Sequence, residues 1–242
     1  MSKTLQPALA DLLAYLGEMG YGELYLNPPP GAVQAPAPAA GEPAAATDEE
    51  TAERAAELAA LATAAAGCTR CRLSEGRTRV VFGSGNPAAD LMFIGEGPGA
   101  EEDRQGLPFV GAAGELLTRI IQAIEMRRED VYIANVVKCR PPGNRDPQPD
   151  EVAACRGYLE RQIALVRPKV IVALGRVAAQ TLLGNDAPIG RMRGQWFRVQ
   201  GIPTRVTYHP AALLRNSGLK RPTWEDMQQV RDLLRFGSSG SP

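Results

Sequence analysis

The chain has 242 residues, of which 44% are hydrophobic and 22% charged, an ordinary composition for a globular protein. No apolar run approaches the roughly 20 residues needed to cross a bilayer, which excludes a transmembrane protein. Residues 1–10 also lack the basic segment and apolar core of a secretory signal. We therefore expect a cytoplasmic protein with no membrane contact.

The formal net charge of zero hides an uneven distribution. Residues 1–66 hold two basic and nine acidic residues, a net charge of −7, whereas residues 67–242 carry a net charge of +7. A basic body with an acidic extension favours an anionic partner for the body, such as nucleic acid.

Two segments precede the first long helix. Leucines at positions 5, 9, 12, 13 and 16 predict a short amphipathic helix within residues 1–26, which is either a docking peptide for a protein partner or an extension without one. Residues 27–46 are Pro, Ala or Gly at 16 of 20 positions. Such a segment buries too little apolar surface to offset its ordering entropy, so we predict a disordered linker. Residues 47–242 form the remaining domain.

Helices and strands alternate along this domain. Thr47 or Asp48 can cap a helix that runs to about Ala66, where Gly67 stops it. Beyond it we predict strands at 91–94, 131–137, 169–174 and 204–208, and helices at 114–126, 149–166, 176–183 and 224–236. This alternation predicts a parallel sheet covered on both faces, with ligands bound at the carboxyl ends of the strands.

Four cysteines supply a possible metal site. Cys68 and Cys71 form a C-x-x-C pair, and Cys139 and Cys155 follow at a distance. Structural disulfides are rare in a reducing compartment, whereas four thiolates complete the coordination sphere of zinc or of an iron–sulfur cluster. Four unrelated buried thiols are the alternative, and the spacing alone does not identify a metal.

The loop after the first of these strands is rich in glycine. Gly95, Gly97 and Gly99 occupy three of five positions and let the backbone approach a ligand closely. The loop matches neither the P-loop nor the dinucleotide-binding pattern, which disfavours nucleotide-phosphate binding. Its acidic residues suit a site that stabilises positive charge or orients water.

Two polar residues stand out among the apolar strands. His209 is the only histidine of the chain, and it lies where the last predicted strand meets a loop. Asn135 lies inside an apolar strand, where a buried amide must find partners. It either bridges backbone groups or reads a donor and an acceptor of a ligand together.

Three segments together resemble a known family. They are GEGPGAEEDRQGLPFVGAAG from residue 95, NVVKCRPPGNR from residue 135 and HPAALLR from residue 209, and they are similar to the family 4 uracil-DNA glycosylases, the iron–sulfur members of the uracil-DNA glycosylase superfamily. The resemblance begins near Cys68 and covers about 170 residues. It implies a three-layer α/β/α sandwich with a four-stranded parallel sheet, and it makes residues 47–242 the glycosylase domain.

The resemblance also implies roles for the singled-out residues. Uracil in single- or double-stranded DNA would be flipped into a closed pocket of a monomeric enzyme and stack on Phe109. Asn135 would donate to uracil O4 and accept from N3–H, a pattern that cytosine does not match. His209 would stabilise the negative charge that develops on O2. The predicted uracil contacts are Gly95, Glu96, Gly97, Phe109, Asn135 and His209; the predicted DNA contacts are Pro98, Pro210, Ala211 and Arg215; and a 4Fe–4S cluster would be held by Cys68, Cys71, Cys139 and Cys155.

The residue that activates water is less well defined. The best-known branch of the superfamily has an aspartate where this chain has Gly97, so Glu96 and Glu102 are the candidates to orient water or to stabilise the sugar cation. A relative that bonds covalently to DNA through a histidine carries a basic insertion. This chain has no insertion between Gly99 and Phe109 and no second histidine, which excludes that reaction.

Two other classes of function compete with the glycosylase. The first is a non-catalytic module that binds DNA lesions in the same pocket, and the second is a redox protein that uses the cluster for electron transfer. Intact Phe109, Asn135 and His209 favour the enzyme over the first, and the sequence supplies no second redox centre for the other.

Overall fold

The computed structural model describes residues 47–237. The predicted helix within residues 1–26 and the predicted linker at 27–46 lie outside the described residues. In the described part no helix is long and apolar enough to span a bilayer.

The described residues contain nine α-helices and six strands. The helices are α1 (Asp48–Ala66), α2 (Leu73–Gly76), α3 (Ala100–Gln105), α4 (Ala112–Ala123), α5 (Pro149–Val166), α6 (Arg176–Leu183), α7 (Ile189–Met192), α8 (Pro210–Arg215) and α9 (Lys220–Phe236). The strands are β1 (Ser84–Gly85), β2 (Leu91–Gly95), β3 (Tyr132–Asn135), β4 (Val170–Leu174), β5 (Trp196–Val199) and β6 (Ile202–Thr207). Short 3₁₀ turns lie at Arg128–Asp130, Pro142–Asn144 and Ser217–Leu219.

All six strands form one sheet in the order β1-β3-β2-β4-β6-β5. The four central strands are parallel, whereas β1 and β5 pair antiparallel with β3 and β6. The predicted α/β class is confirmed, but the sheet has two edge strands more than the four predicted. β1 has only two residues, and β5 is partly exposed and joined to β6 by a tight turn, so neither produces an apolar run.

Alternate residues of the central strands pack against helices on opposite faces. Leu91 and Phe93 of β2 belong to a core with residues of α4 and α9, whereas Met92 and Ile94 belong to a core with residues of α1, α5 and α6. Burial on both faces is what a parallel sheet requires. The three layers predicted from the sequence are therefore present.

Local signals fix the helix ends. Thr47 caps α1, because its hydroxyl accepts a hydrogen bond from the Glu50 amide at 3.2 Å, and three acidic residues occupy the first turn. The observed α1, α5 and α6 agree with the predicted bounds, whereas α9 begins at Lys220, four residues before the predicted start.

Candidate active site

The carboxyl ends of the four parallel strands bring the predicted site residues to one edge of the sheet. β2 ends at Gly95, which pairs directly with Asn135 at the end of β3. β4 ends at Leu174, and β6 ends at Thr207, two residues before His209. Residues far apart in the sequence are thus gathered where parallel sheets bind their ligands.

Gly95 allows the polar and aromatic groups of the site to meet. A Cβ atom at this position would lie 2.6 Å from Phe109 Cζ and closer still to Asn135 Oδ1. Any side chain would displace one of the two. We call Gly95, Phe109, Asn135 and His209 the base pocket, after the role that the family resemblance predicts for them.

Asn135 carries an unsatisfied acceptor into this pocket. Its side chain is 1% exposed, and Oδ1 has no hydrogen-bond partner among the described residues. A buried acceptor without a partner is costly and calls for an explanation. The oxygen does not bridge backbone groups, so the arrangement favours the alternative in which the amide reads a ligand.

Phe109 is held in an unusual backbone conformation. Its φ is 54°, in the left-handed region that bulky residues avoid, and its side chain is buried. The ring centroid lies 5.5 Å from that of His209, with 32° between the planes. Behind it, α4 packs so closely that a Cβ at Gly114 would overlap the Phe109 carbonyl.

His209 has its tautomer set by the backbone. It is the N-cap of α8, and Nδ1 accepts a hydrogen bond from the Ala211 amide at 3.1 Å. An Nδ1 that accepts carries no proton, so the hydrogen of the neutral ring lies on Nε2. Burial lowers the pKa of His209 to about 4, and the charge of Arg215 acts in the same direction against that of Glu102. At neutral pH the ring is a neutral Nε2–H donor.

Glu96 directly follows Gly95 in the sequence, and its carboxylate side chain is half-buried. Burial, and then the charge of Asp146, raise its pKa to about 7, while Arg176 opposes them. Asp146 and Arg176 form an ion pair with each other. A carboxylate that titrates near neutral pH is suited to exchange a proton with water.

Both carboxylate oxygens of Glu102 accept hydrogen bonds from backbone amides within residues 99–111. Oε2 accepts from the Gly99 amide at 3.1 Å, and Oε1 accepts from the amides of Val110 and Gly111 at 3.0 and 3.1 Å. These are the contacts of a residue that positions the glycine-rich loop. Its predicted catalytic role stays a prediction, and because both of its oxygens are engaged, Glu96 is the better candidate to orient water.

The other predicted contacts differ in accessibility. Gly97 packs so closely on Val137 that a Cβ would lie 2.8 Å from Val137 Cγ2. Of the four predicted DNA contacts, Arg215 is exposed, Ala211 is half-buried, and Pro98 and Pro210 are buried. DNA contact stays a prediction for all four.

The four cysteines line one cavity. Cys68 and Cys71 lie between α1 and α2, Cys139 follows β3, and Cys155 lies on α5. Among the described residues, no three His, Cys, Asp or Glu side chains converge closely enough for a single metal ion. The predicted ligands are thus brought together around one cavity.

Arg77 and Lys138 line this cavity and each donates a hydrogen bond to a cysteine sulfur. Arg77 Nη1 donates to Cys139 Sγ at 3.3 Å, and the Lys138 amide donates to Cys155 Sγ at 3.3 Å. Burial raises the pKa of the Cys139 and Cys155 thiols, while Arg77 and Lys138 respectively lower it. Hydrogen bonds and positive charges of this kind stabilise thiolates bound to a metal.

A buried lysine connects the cysteine site with the base pocket. Lys138 is 2% exposed, and its Nζ donates to the Asn135 carbonyl at 2.7 Å and to the Gln162 side chain. The backbone of Asn135 is therefore fixed by a residue that directly precedes Cys139, one of the predicted cluster ligands.

Comparison with known proteins shows the family of this chain. Residues 82–228 match the sequence model of the uracil-DNA glycosylase superfamily. The matched range contains the whole base pocket, Glu96 and two of the four cysteines. The chain therefore belongs to this superfamily of enzymes.

Individual relatives narrow the assignment. A type-4 uracil-DNA glycosylase of Sulfurisphaera tokodaii is 46% identical over 175 residues, which cover 69% of this chain and 80% of the relative. That of Thermotoga maritima is 47% identical over 174 residues, 69% of this chain and 90% of the relative. A type-5 uracil-DNA glycosylase of Pyrobaculum aerophilum is 31% identical over 163 residues, 60% of this chain and 71% of the relative. The chain belongs to the type-4 uracil-DNA glycosylase family.

Several residues that shape the site were not predicted. Gly175, with a φ of 91°, lies where a Cβ would approach His209 Cβ to 2.9 Å, and its place after an apolar strand was the available signal. Asp146 and Arg176 act on Glu96 from other loops, which nothing in the local sequence reveals.

The pKa of Glu96 predicts a pH dependence. If ionised Glu96 activates water, kcat/KM for uracil excision rises with pH through an apparent pKa of about 7, because the carboxylate form gains population as pH rises. Asp146→Asn removes a charge that raises this pKa, so the rising limb moves to lower pH.

The matched control is Glu101→Gln, an exposed carboxylate in the first turn of α3, which should leave the profile unchanged. Glu96→Gln should abolish the limb and lower the plateau rate. A limb near pH 7 that persists in Glu96→Gln would assign the titration to another group.

Proposed function

We propose that this chain hydrolyses the N-glycosidic bond between uracil and deoxyribose in DNA and leaves an abasic site. The type-4 relatives bear the name of this activity, and the chain shares their family. The residue-level mechanism is supported by the position of Phe109, which lies near both the unsatisfied Asn135 Oδ1 and the neutral His209 ring.

Recognition begins with extrusion of the nucleotide, because a base stacked in duplex DNA cannot enter such a pocket. Phe109 supplies the aromatic surface on which the base stacks. Asn135 Oδ1 accepts a hydrogen bond from uracil N3–H, and the amide nitrogen donates to O4. Cytosine presents an acceptor at N3 and a donor at C4, so it would leave buried polar groups unpaired.

In the reaction the bond between uracil N1 and sugar C1′ breaks, and its electron pair leaves with the base. The charge develops largely on O2, where the Nε2–H of neutral His209 donates a hydrogen bond that strengthens with it. Because the ring is neutral and its pKa is about 4, it stabilises the uracil anion without protonating it.

Water completes the reaction at C1′. Its oxygen bonds to the sugar carbon, and its proton passes to Glu96, whose negative charge also stabilises the cationic sugar. Burial and the charge of Asp146, opposed by Arg176, raise the pKa of this carboxylate to about 7, so it is near the midpoint of its titration at neutral pH. Glu102 has no part in the proton transfer and holds the loop.

The cysteine site fits a 4Fe–4S cluster held by Cys68, Cys71, Cys139 and Cys155. Support comes from the cavity that all four cysteines line and from the N–H groups that donate to two of their sulfurs. The cluster would tie α1 and α2 to β3 and α5. Its contribution is structural, since the reaction needs no electron transfer.

The sequence also leads us to expect an oligomeric state, a location and a form of substrate for this enzyme. We expect it to act as a monomer in the cytoplasm, on single- or double-stranded DNA, with residues 1–46 available to dock a protein partner. The basic body, with a net charge of +7 over residues 67–242, suits contact with phosphates.

Variants of the base pocket should fail in different ways. His209→Ala removes the donor to O2, so the single-turnover rate of uracil release should fall about 10²–10³-fold, as for other oxyanion donors, with base preference unchanged. Asn135→Asp keeps the acceptor for N3–H but loses the donor to O4, so the ratio of uracil to cytosine excision should fall.

The measurement is single-turnover excision from matched oligonucleotides that contain uracil or cytosine. Asn185→Asp, at an exposed loop asparagine, is the control for the amide-to-acid change. A wild-type rate in His209→Ala, or unchanged rate and preference in Asn135→Asp, would contradict these roles. A wild-type protein that binds uracil-containing DNA without cleaving it would instead favour the lesion-binding module.

The cofactor proposal predicts about four irons per chain and broad absorbance near 400 nm, as expected of a thiolate-held 4Fe–4S cluster. Cys139→Ser should lower the iron content and the melting temperature more than it lowers the activity of the protein that stays folded. A colourless protein with one zinc ion per chain would overturn the proposal.

A further inference from the structure

We propose that Arg128 is a positioning residue that fixes Phe109 in its stacking conformation. The inference rests on the proposed function, in which Phe109 supports the flipped base. Arg128 lies in the 3₁₀ turn between α4 and β3. This turn contributes no residue to the base pocket.

Phe109 requires external restraint. With a φ of 54°, its backbone occupies a region that a bulky residue enters only when the surrounding structure enforces it. This conformation places the ring against Gly95 on one side and His209 on the other. A relaxed backbone would turn the ring away from both.

Arg128 holds the peptide that precedes Phe109. Its Nη2 donates to the Pro108 carbonyl at 2.7 Å, and its Nη1 donates to Thr118 Oγ1 at 3.1 Å. Thr118 in turn donates to the Gly114 carbonyl at 3.1 Å. The guanidinium therefore ties the Pro108–Phe109 peptide to the first turns of α4.

Other residues hold the peptides that follow Phe109. Glu102 accepts hydrogen bonds from the Val110 and Gly111 amides, and Gly114 lets α4 approach the Phe109 carbonyl. Glu102, Gly114 and Arg128 form what we call the Phe109 clamp. Arg128 is the member that comes from outside the glycine-rich segment of residues 95–114.

The neighbouring arginine shows what an ordinary surface residue does in this turn. Arg127 is exposed and pairs with Glu129 and Asp130. Arg128 is half-buried, and both of its hydrogen bonds go to uncharged oxygens near Phe109. Burial lowers the pKa of Arg128, and the negative charge of Glu102 opposes this effect.

The experiment compares Arg128→Met with Arg127→Met as the matched control. Arg128→Met should raise the DNA concentration needed for half-maximal single-turnover excision by about 10-fold, within the range for loss of one base–aromatic stack. The maximal rate should fall less. Arg127→Met should behave like the wild type.

A double mutant tests whether Arg128 acts through Phe109. In a Phe109→Ala background the further change Arg128→Met should cost less than about 2-fold, because contacting residues that act as a unit are not additive. An equal loss in both backgrounds would overturn the proposal.

The single histidine provides a readout independent of activity. Because the Phe109 ring lies 5.5 Å from that of His209, its displacement changes the ring-current shift of the His209 side-chain NMR signals. Arg128→Met should move these signals in the same direction as Phe109→Ala, and Arg127→Met should not move them.

Unchanged signals and half-saturation in Arg128→Met would overturn the proposal. Loss of excision in the wild type would overturn the proposed function while leaving the NMR comparison interpretable. If Arg128→Met does not fold, Arg128→Lys, which can keep only one of the two hydrogen bonds, should give smaller shifts in the same direction; wild-type signals there would contradict the proposal.

Discussion

The chemistry of the base pocket depends on one hydrogen bond, from the Ala211 amide to Nδ1 of His209. It assigns the only ring proton to Nε2 and leaves the imidazole neutral, and in the proposed reaction this Nε2–H would face the charge that develops on the base. Protonation of Nδ1 would break this bond. Burial and the positive charge of Arg215 oppose that protonation, and they lower the pKa of His209 to about 4.

Three residues of the site have energetically unfavourable arrangements that a purely structural region would avoid. Asn135 Oδ1 is buried without a partner, Phe109 has a left-handed backbone, and Glu96 has a raised pKa. Such departures from the local rules gather at functional sites, where the surrounding fold compensates for them. Here the compensation comes from the two apolar cores on either side of the sheet and from contacts such as those of Glu102 and Lys138.

The parts of this arrangement that follow local rules could be predicted from the sequence. Apolar runs and helix caps predicted α5, α6 and the four parallel strands. The positions of Asn135 and His209 in or after these strands indicated that both belong to the site. β1 and β5 lack a periodic signal of sufficient length. Contacts between distant segments, such as Arg128 with Pro108 or Lys138 with Asn135, depend on the packed fold, so no local pattern reveals them. The roles of Glu96 and Glu102 could be separated only once their hydrogen bonds and neighbours were known.

The central claim is that His209 works as a neutral Nε2–H donor, and NMR of the only histidine tests it most directly. In protein labelled at this residue, the side-chain nitrogens should show an unprotonated Nδ1 and a protonated Nε2. This state should persist from neutral pH downward until protonation near pH 4, because burial disfavours the cation. A titration near the ordinary value of about 6.5, or a proton on Nδ1 at neutral pH, would contradict the account.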